Sequence, residues 1–128
     1  MEATEERLRE TLFGAEPAAS CVVAYLGERP VAFALFYFSY SKFAGLPGLY
    51  LEDLFVKPDV RGLGIGRALF RHLANLAKKK GCWRIEWAVL HWNKSAIGFY
   101  ESIGAVPMDE WAVYRLSEEA LESLANES

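Results

Sequence analysis

The hydrophobic positions of this chain follow two periods, one suited to strands and one to helices. "CVVAYLG" and "PVAFALFYFSY" are rich in β-branched and aromatic residues, and "GERP" between them predicts a hairpin turn. The second run is apolar on both faces, which predicts a central strand. "SKFAGLPG" reads as a loop by its glycines and proline, and "LYLEDLFV" as a third strand closed by "KPD". The period then changes. Ile65, Leu69, Leu73 and Leu76 recur at helical spacing and predict one buried helix face. Lys78, Lys79 and Lys80 meet the negative end of that helix, and Gly81 suits the left-handed cap. "WRIEWAV" predicts a fourth strand, and "NKSAIGFYESIG" a second helix capped by Asn93 and ended by Gly104. "WAVYRLS" predicts a last strand, after which Ser117 opens a charged terminal helix. Ahead of all of these, residues 4–13 predict a short helix, with Thr4 as N-cap and Leu8 and Leu12 on one face. Helices alternating with strands imply an α/β organisation.

Length and composition narrow this picture. The 128 residues are one domain's worth of chain, and 52% hydrophobic with 14% aromatic content predicts a packed core. We therefore take residues 1–128 as a single domain. The net charge of −3, with no long run of one sign, argues against nonspecific nucleic-acid binding and suits a small cationic partner. Cys21 and Cys82 lie in apolar, strand-like stretches and read as buried free thiols of a cytosolic protein. "MEATEERLRETLFG" has no apolar core of a signal peptide, and no stretch is long and apolar enough for a membrane span. The expected setting is soluble and cytoplasmic.

The stretch "VKPDVRGLGIGRALFRHLANLAKKKG" carries the first candidate chemistry. It lacks the Gly-Lys-Ser/Thr ending of a P-loop. It also fails G-x-G-x-x-G, because Arg67 or Leu69 stands at the final position, although Glu86 lies about where that fingerprint wants an acid. What remains is R-x-x-G-x-G, formed by Arg61, Gly64 and Gly66 between a strand and a helix. Such glycines let the N–H groups of Gly62, Leu63, Gly64, Ile65 and Gly66 converge on one anion, helped by the helix N-terminus. A tight turn with no ligand is the alternative.

This motif, followed one strand later by "NKSAIGFYESIGA", resembles the GNAT superfamily of acetyl-CoA-dependent N-acetyltransferases. "YFSYSKFAGLPGLYLEDLFVKPDVRGLGIG" and "WNKSAIGFYESIGA" narrow the likeness to the diamine acetyltransferases, which acetylate spermidine and spermine, and to their thialysine-acetylating relatives. The resemblance spans residues 4–117. It implies a mixed, twisted, mostly antiparallel α+β sheet with splayed central strands and helices on both faces. Family members usually carry a strand and a helix ahead of the point where this chain begins, so both are expected to be missing.

The resemblance also assigns roles. The strand end Leu54, Phe55 and Val56 and the loop Arg61 to Arg67 would hold coenzyme A, with the loop on its pyrophosphate. Backbone N–H groups around Phe55–Val56 would stabilise the carbonyl oxygen. Tyr100 resembles the general acid that protonates the leaving thiolate; an amphipathic tyrosine with its hydroxyl at the surface is the bland alternative. Glu52 resembles the general base, and Asp53 would help hold a cationic amine; an ordinary pair of edge-strand charges is the alternative. Consecutive strand residues face opposite ways, so both acids serve one site only if a bulge turns them. A carboxyl near 4.3 and an alkylammonium near 10.4 lie about six pKa units apart, roughly 8 kcal/mol, which favours a water relay over direct proton transfer. Asn93 would contact the pantetheine arm as well as cap its helix. Glu110 and Trp111, with Asp109, would line the amine site, where aromatic faces and carboxylates suit a long cation; a turn with a core tryptophan is the alternative.

Arg67 and Arg71 recur one turn apart and either meet a further phosphate or form a solvated face. His72 and His91 have no partner at ligand spacing, so no metal is expected. No serine or cysteine nucleophile motif occurs, which favours direct transfer in a ternary complex. The expected activity is acetylation of a small amine, polyamine or diamine first and thialysine second, by a homodimer buried through "FALFYFSY". A catalytically silent CoA-binding or regulatory module is the rival. A nucleotide-binding module fails on both phosphate motifs.

Overall fold

The computed structural model describes residues 19–41 and 44–127. Strands β1 (Ser20–Leu26), β2 (Arg29–Ser41), β3 (Leu46–Val56) and β4 (Ile85–Glu86) form one open sheet in that order. The first two pairings are antiparallel and the third, β3 with β4, is parallel. Gly27, at φ 62°, supplies the left-handed residue of the two-residue turn between β1 and β2. Helix α1 (Ile65–Lys79) returns the chain from β3 to β4 and packs on β2 and β3. All of this lies in one compact unit, Met1–Trp92. A second unit, Asn93–Ser128, carries α2 (Lys94–Ser102) and α3 (Glu118–Ala125).

The core is the face of the sheet under α1. Ala34, Phe36, Leu49 and Leu51 are buried there, with Leu69, Phe70, Leu73 and Ala77 of the helix. Phe70 meets Trp87, ring centroids 4.9 Å apart. The helix stripe is thus shifted from the expected one: Ile65 and Leu76 are half-buried, while Phe70 and Ala77 are in the core. Both α1 and α2 end on a glycine as expected. Gly81 and Gly104 adopt φ 75° and 93°, and Cys82 and Ala105 donate back five residues to Ala77 and Tyr100. Asn93 caps α2 through its side-chain oxygen, which accepts from the Ala96 N–H at 3.3 Å.

Four expectations are corrected. The third strand begins at Leu46, inside the expected loop, because Pro47 and Gly48 satisfy its ladder. Pro47 needs only its carbonyl, which accepts from Trp83 N–H at 3.1 Å, and a Cβ on Gly48 would stand 3.0 Å from Ser39 Oγ. The fourth strand is only Ile85–Glu86, since β3 pairs with it at Leu49 and Tyr50 and then diverges. Residues 111–117 form no strand: Val113 and Tyr114 are 90% and 95% exposed, and β-propensity is realised only against a neighbouring strand. Neither cysteine is buried; Cys21 is exposed on β1, the edge strand among the described residues, and Cys82 is half-buried. The expected helix over residues 4–13 lies outside the described residues. No helix among the described residues is long and apolar enough to cross a membrane.

Candidate functional site

The face of the sheet opposite α1 carries the polar and aromatic groups. Opposite Leu35 and Phe36 of β2 stand Asp53 and Leu51 of β3, so Glu52 is an extra residue in the ladder. This bulge leaves Glu52 and Asp53 consecutively exposed. The side-chain alternation that should have separated the two acids is broken at that point.

Beyond Tyr50, β3 runs on to Val56 without β4 beside it. Lys57 N–H donates to the Val31 carbonyl at 2.8 Å. Backbone direction alternates along a strand, so Leu54 and Val56 turn toward the side that β4 has left. The Val56 carbonyl accepts from Arg61 Nε at 3.0 Å, and the Arg61 guanidinium lies 6.0 Å from the Phe55 ring centroid. Arg61 is therefore folded back against the strand end, leaving the N–H groups of Leu54 and Val56 directed into the gap; the Phe55 N–H, expected among these donors, instead faces β2 by the same alternation.

A short 3-10 turn, Pro58–Val60, follows, and its buried Val60 anchors it to the core. Arg29 and Asp59 pair across 2.6 Å, and the hydrogen bond from the guanidinium lowers the Asp59 pKa. The chain then enters the glycine loop. Gly62 and Gly64 take φ 87° and 83°, and a Cβ on either would meet nothing within 4 Å. Gly64 is the N-cap of α1 and gives no side-chain cap bond; no acid stands in the first turn. Among the described residues, no acceptor pairs with the N–H groups of 62–67. Unpaired donors at a helix N-terminus with uncompensated dipole make a cradle for an anion. The exposed Arg67 stands on the same first turn.

The first unit therefore brings together Glu52, Asp53, the strand end Leu54 to Val56 and the loop Arg61 to Arg67. Asn93, Tyr100, Glu110 and Trp111 belong to the second unit. Tyr100 is half-buried near the end of α2, its ring 5.9 Å from that of Phe99. Glu110 and the 67%-exposed Trp111 lie at a turn closed by Trp111 N–H donating to the Met108 carbonyl at 3.2 Å. One row of residues escaped the sequence reading. Tyr37, Tyr50 and Glu86 are register partners across three strands, with the two tyrosine rings 5.2 Å apart. Burial, and then the charge of Glu52, push the Tyr50 pKa up, so its hydroxyl stays protonated. Arg84, two residues before Glu86, shares that face. The period-2 spacing of "RIE" was the available signal.

Comparison with known proteins identifies the family and the fold. The model of the "Acetyltransferase (GNAT) family" matches residues 1–105. A thialysine N-epsilon-acetyltransferase of Caenorhabditis elegans is 38% identical over 127 residues, covering 97% of this chain and 78% of that protein. The Bos taurus thialysine N-epsilon-acetyltransferase is 40% identical over 133 residues, covering 95% and 78%. Among solved structures, an integron cassette protein from the mobile metagenome of V. cholerae superposes with a TM-score of 0.85 at 31% identity, covering 98% of this chain and 80% of that one. An open mixed sheet with a split after its third strand, a bulge bearing two acids and a glycine-rich helix start thus accompany a family match over most of the sequence: the chain belongs to the GNAT family of acetyltransferases.

Proposed function

We propose that this protein moves an acetyl group from acetyl-CoA to a primary amine of a small cationic substrate, a diamine, polyamine or thialysine-like molecule, by direct attack in a ternary complex. The observation that carries this reading is the pairing of the N–H groups of 62–67, which meet no acceptor among the described residues, with two exposed carboxylates at the β3 bulge. One end suits a pyrophosphate and the other a cation. The relatives named as thialysine N-epsilon-acetyltransferases support the amine as acceptor.

Coenzyme A, when bound, supplies the acetyl group as a thioester. The N–H groups of Gly62 to Arg67 would hold its pyrophosphate, and only glycine at 62 and 64 lets the backbone turn those donors outward without strain. The N–H groups of Leu54 and Val56, directed into the gap beside β3, would donate to the carbonyl oxygen as negative charge grows there. Glu52 would accept the amine's proton through a water, leaving the nitrogen lone pair free to attack. Asp53 beside it would hold the positive charge that the substrate brings. Asn93 would contact the pantetheine arm through the side-chain nitrogen that capping leaves unused. Tyr100 would give its phenolic proton to the departing thiolate, while Glu110 and Trp111 would line the rest of the amine's path.

The deciding experiment is thiol release from acetyl-CoA across a panel of amines, with Tyr100→Phe as control. Turnover should fall about 10²-fold in Tyr100→Phe, with cofactor affinity nearly unchanged. Unchanged turnover would remove Tyr100 from the mechanism. Binding of CoA without turnover on any amine would instead indicate a silent binding module.

A further inference from the structure

We propose that the Arg84–Glu86 pair, beside Tyr50, reads the zwitterionic head of an α-amino acid whose side-chain amine reaches Glu52. This rests on the reading of Glu52 as the reacting end of the amine site. It goes further by choosing an amino acid over a polyamine and by naming the residues that choose.

Glu86 sits directly beside Tyr50, and Glu52 lies two residues further along β3. Two residues of regular strand advance about 6.6 Å and neighbouring strands stand about 4.8 Å apart, so the diagonal from Glu86 to Glu52 is at most about 8 Å, the bulge at Glu52 shortening the advance. An extended lysine-length side chain places its amine about 6 Å from its α-carbon, five single bonds away, and the carboxylates at either end supply the remaining reach. Tyr50 forms the floor between the two ends.

Arg84 is prepared for a carboxylate. Its guanidinium lies over the Trp83 ring, 4.7 Å from the centroid, which fixes its plane. Its Nε approaches Glu86 Oε1 at 3.0 Å, yet that nitrogen is buried without an aligned hydrogen-bond acceptor. The contact is an ion pair on one edge of the guanidinium. The two terminal nitrogens have no ion-pair partner among the described residues, and they form the fork that takes a carboxylate in two parallel bonds. The pair is reachable from solvent, with 37% and 40% of the side chains exposed. Gly48 lies directly beside the Arg84 stem: a Cβ there would stand in ordinary contact with Arg84 Cγ, 3.5 Å away.

An ammonium beside Glu86 and a carboxylate on Arg84 match an α-amino acid with both charges answered. A linear polyamine offers no carboxylate, and its inner ammonium would face the guanidinium instead. The same pair that favours the amino acid therefore disfavours the polycation.

The test compares thialysine with bis(2-aminoethyl) sulfide, the same chain without the carboxylate, by titration calorimetry on the CoA-saturated protein. The wild-type chain should bind thialysine at least about tenfold more tightly, as one charge-assisted bidentate contact warrants. Arg84→Gln should bring the two affinities within about threefold by weakening thialysine alone, and Arg84→Lys should keep part of the preference because the charge remains. Glu86→Gln should weaken thialysine as well. Equal binding by the wild type, a preference for the diamine, or a preference that survives Arg84→Gln would overturn the proposal. The Arg84→Lys variant guards against a loss that only reflects damaged folding. Acetyl transfer to both amines without preference would count against the head-group reading alone. A binding preference without transfer would count against the acetylation mechanism alone.

Discussion

At the level of single residues, two glycines in open space make opposite predictions. Gly64 stands at φ 83°, and Gly98 lies inside α2; a Cβ on either would touch nothing within 4 Å. Sterics therefore do not separate them, and backbone conformation does. Gly64→Ala forces an L-residue into the left-handed region, at a cost of about 1–2 kcal/mol. Gly98→Ala only removes a helix-breaking residue and should add about 0.5–1 kcal/mol. Urea unfolding of both variants gives the two signs directly. The functional half of the prediction concerns CoA alone: Gly64→Ala should lose affinity beyond its stability cost, because the donors of 62–67 depend on that turn. A variant that is destabilised yet binds CoA as before would detach the loop from the cofactor.

Between elements, the bond from Arg29 to Asp59 joins the start of β2 to the turn that leads out of β3 and into the glycine loop. It lowers the Asp59 pKa, so its contribution is present above the ordinary carboxylate value, about 3.9, and fades as pH falls through the lower folded value. Arg29→Gln should raise the Asp59 titration toward that ordinary value, and thermal stability should depend less on pH in the acid range. Carbonyl chemical shifts of Asp59 followed through a pH series would show it; an unmoved midpoint would mean that the contact is not held in solution. The sequence makes such elements legible to different degrees. Helices α1 and α2 announce themselves through Gly81, Gly104 and Asn93, because caps are local chemistry. The hairpin of β1 and β2 is equally local. The bulge at Glu52 is not, since one extra residue is defined only against the partner strand. For the same reason "WAVYRLS" misled: its alternation describes a strand's faces without supplying the neighbour that makes it one. The glycine loop was readable as a left-handed turn into a helix because Gly62 and Gly64 are local signals, whereas the spacing of Arg84 and Glu86 gained its meaning from β4 lying beside Tyr50.

For the whole molecule, the unfinished part of the sheet bears on association. Along one face of β2, burial fades steadily past the helix. Ala34 and Phe36 are 0% and 2% exposed beneath α1, while Phe38 and Tyr40 reach 42% and 69%. The Phe38 ring touches Phe36 edge-on, centroids 6.0 Å apart, so the exposed aromatics continue the core rather than standing apart from it. An aromatic extension of a core left in water favours burial against another surface. We propose a second copy of this chain as that surface, because the same face on the partner offers the same rings and a two-fold pairing satisfies both at once. Sedimentation equilibrium at micromolar concentration should then return twice the mass of one chain. Replacing both rings, Phe38→Ser with Tyr40→Ser, should give the single-chain mass while leaving the far-ultraviolet spectrum unchanged, since neither side chain lies under α1. A wild-type mass of one chain would reject the dimer, and a variant that stays dimeric would move the interface elsewhere. The amine site gives an independent check on the same point. Tyr37 and Tyr50 lie on the opposite face from Phe38, so a dimer formed through Phe38 and Tyr40 leaves the row beside Arg84 open to substrate, and the dissociated variant should keep the wild-type preference between thialysine and its decarboxylated analogue.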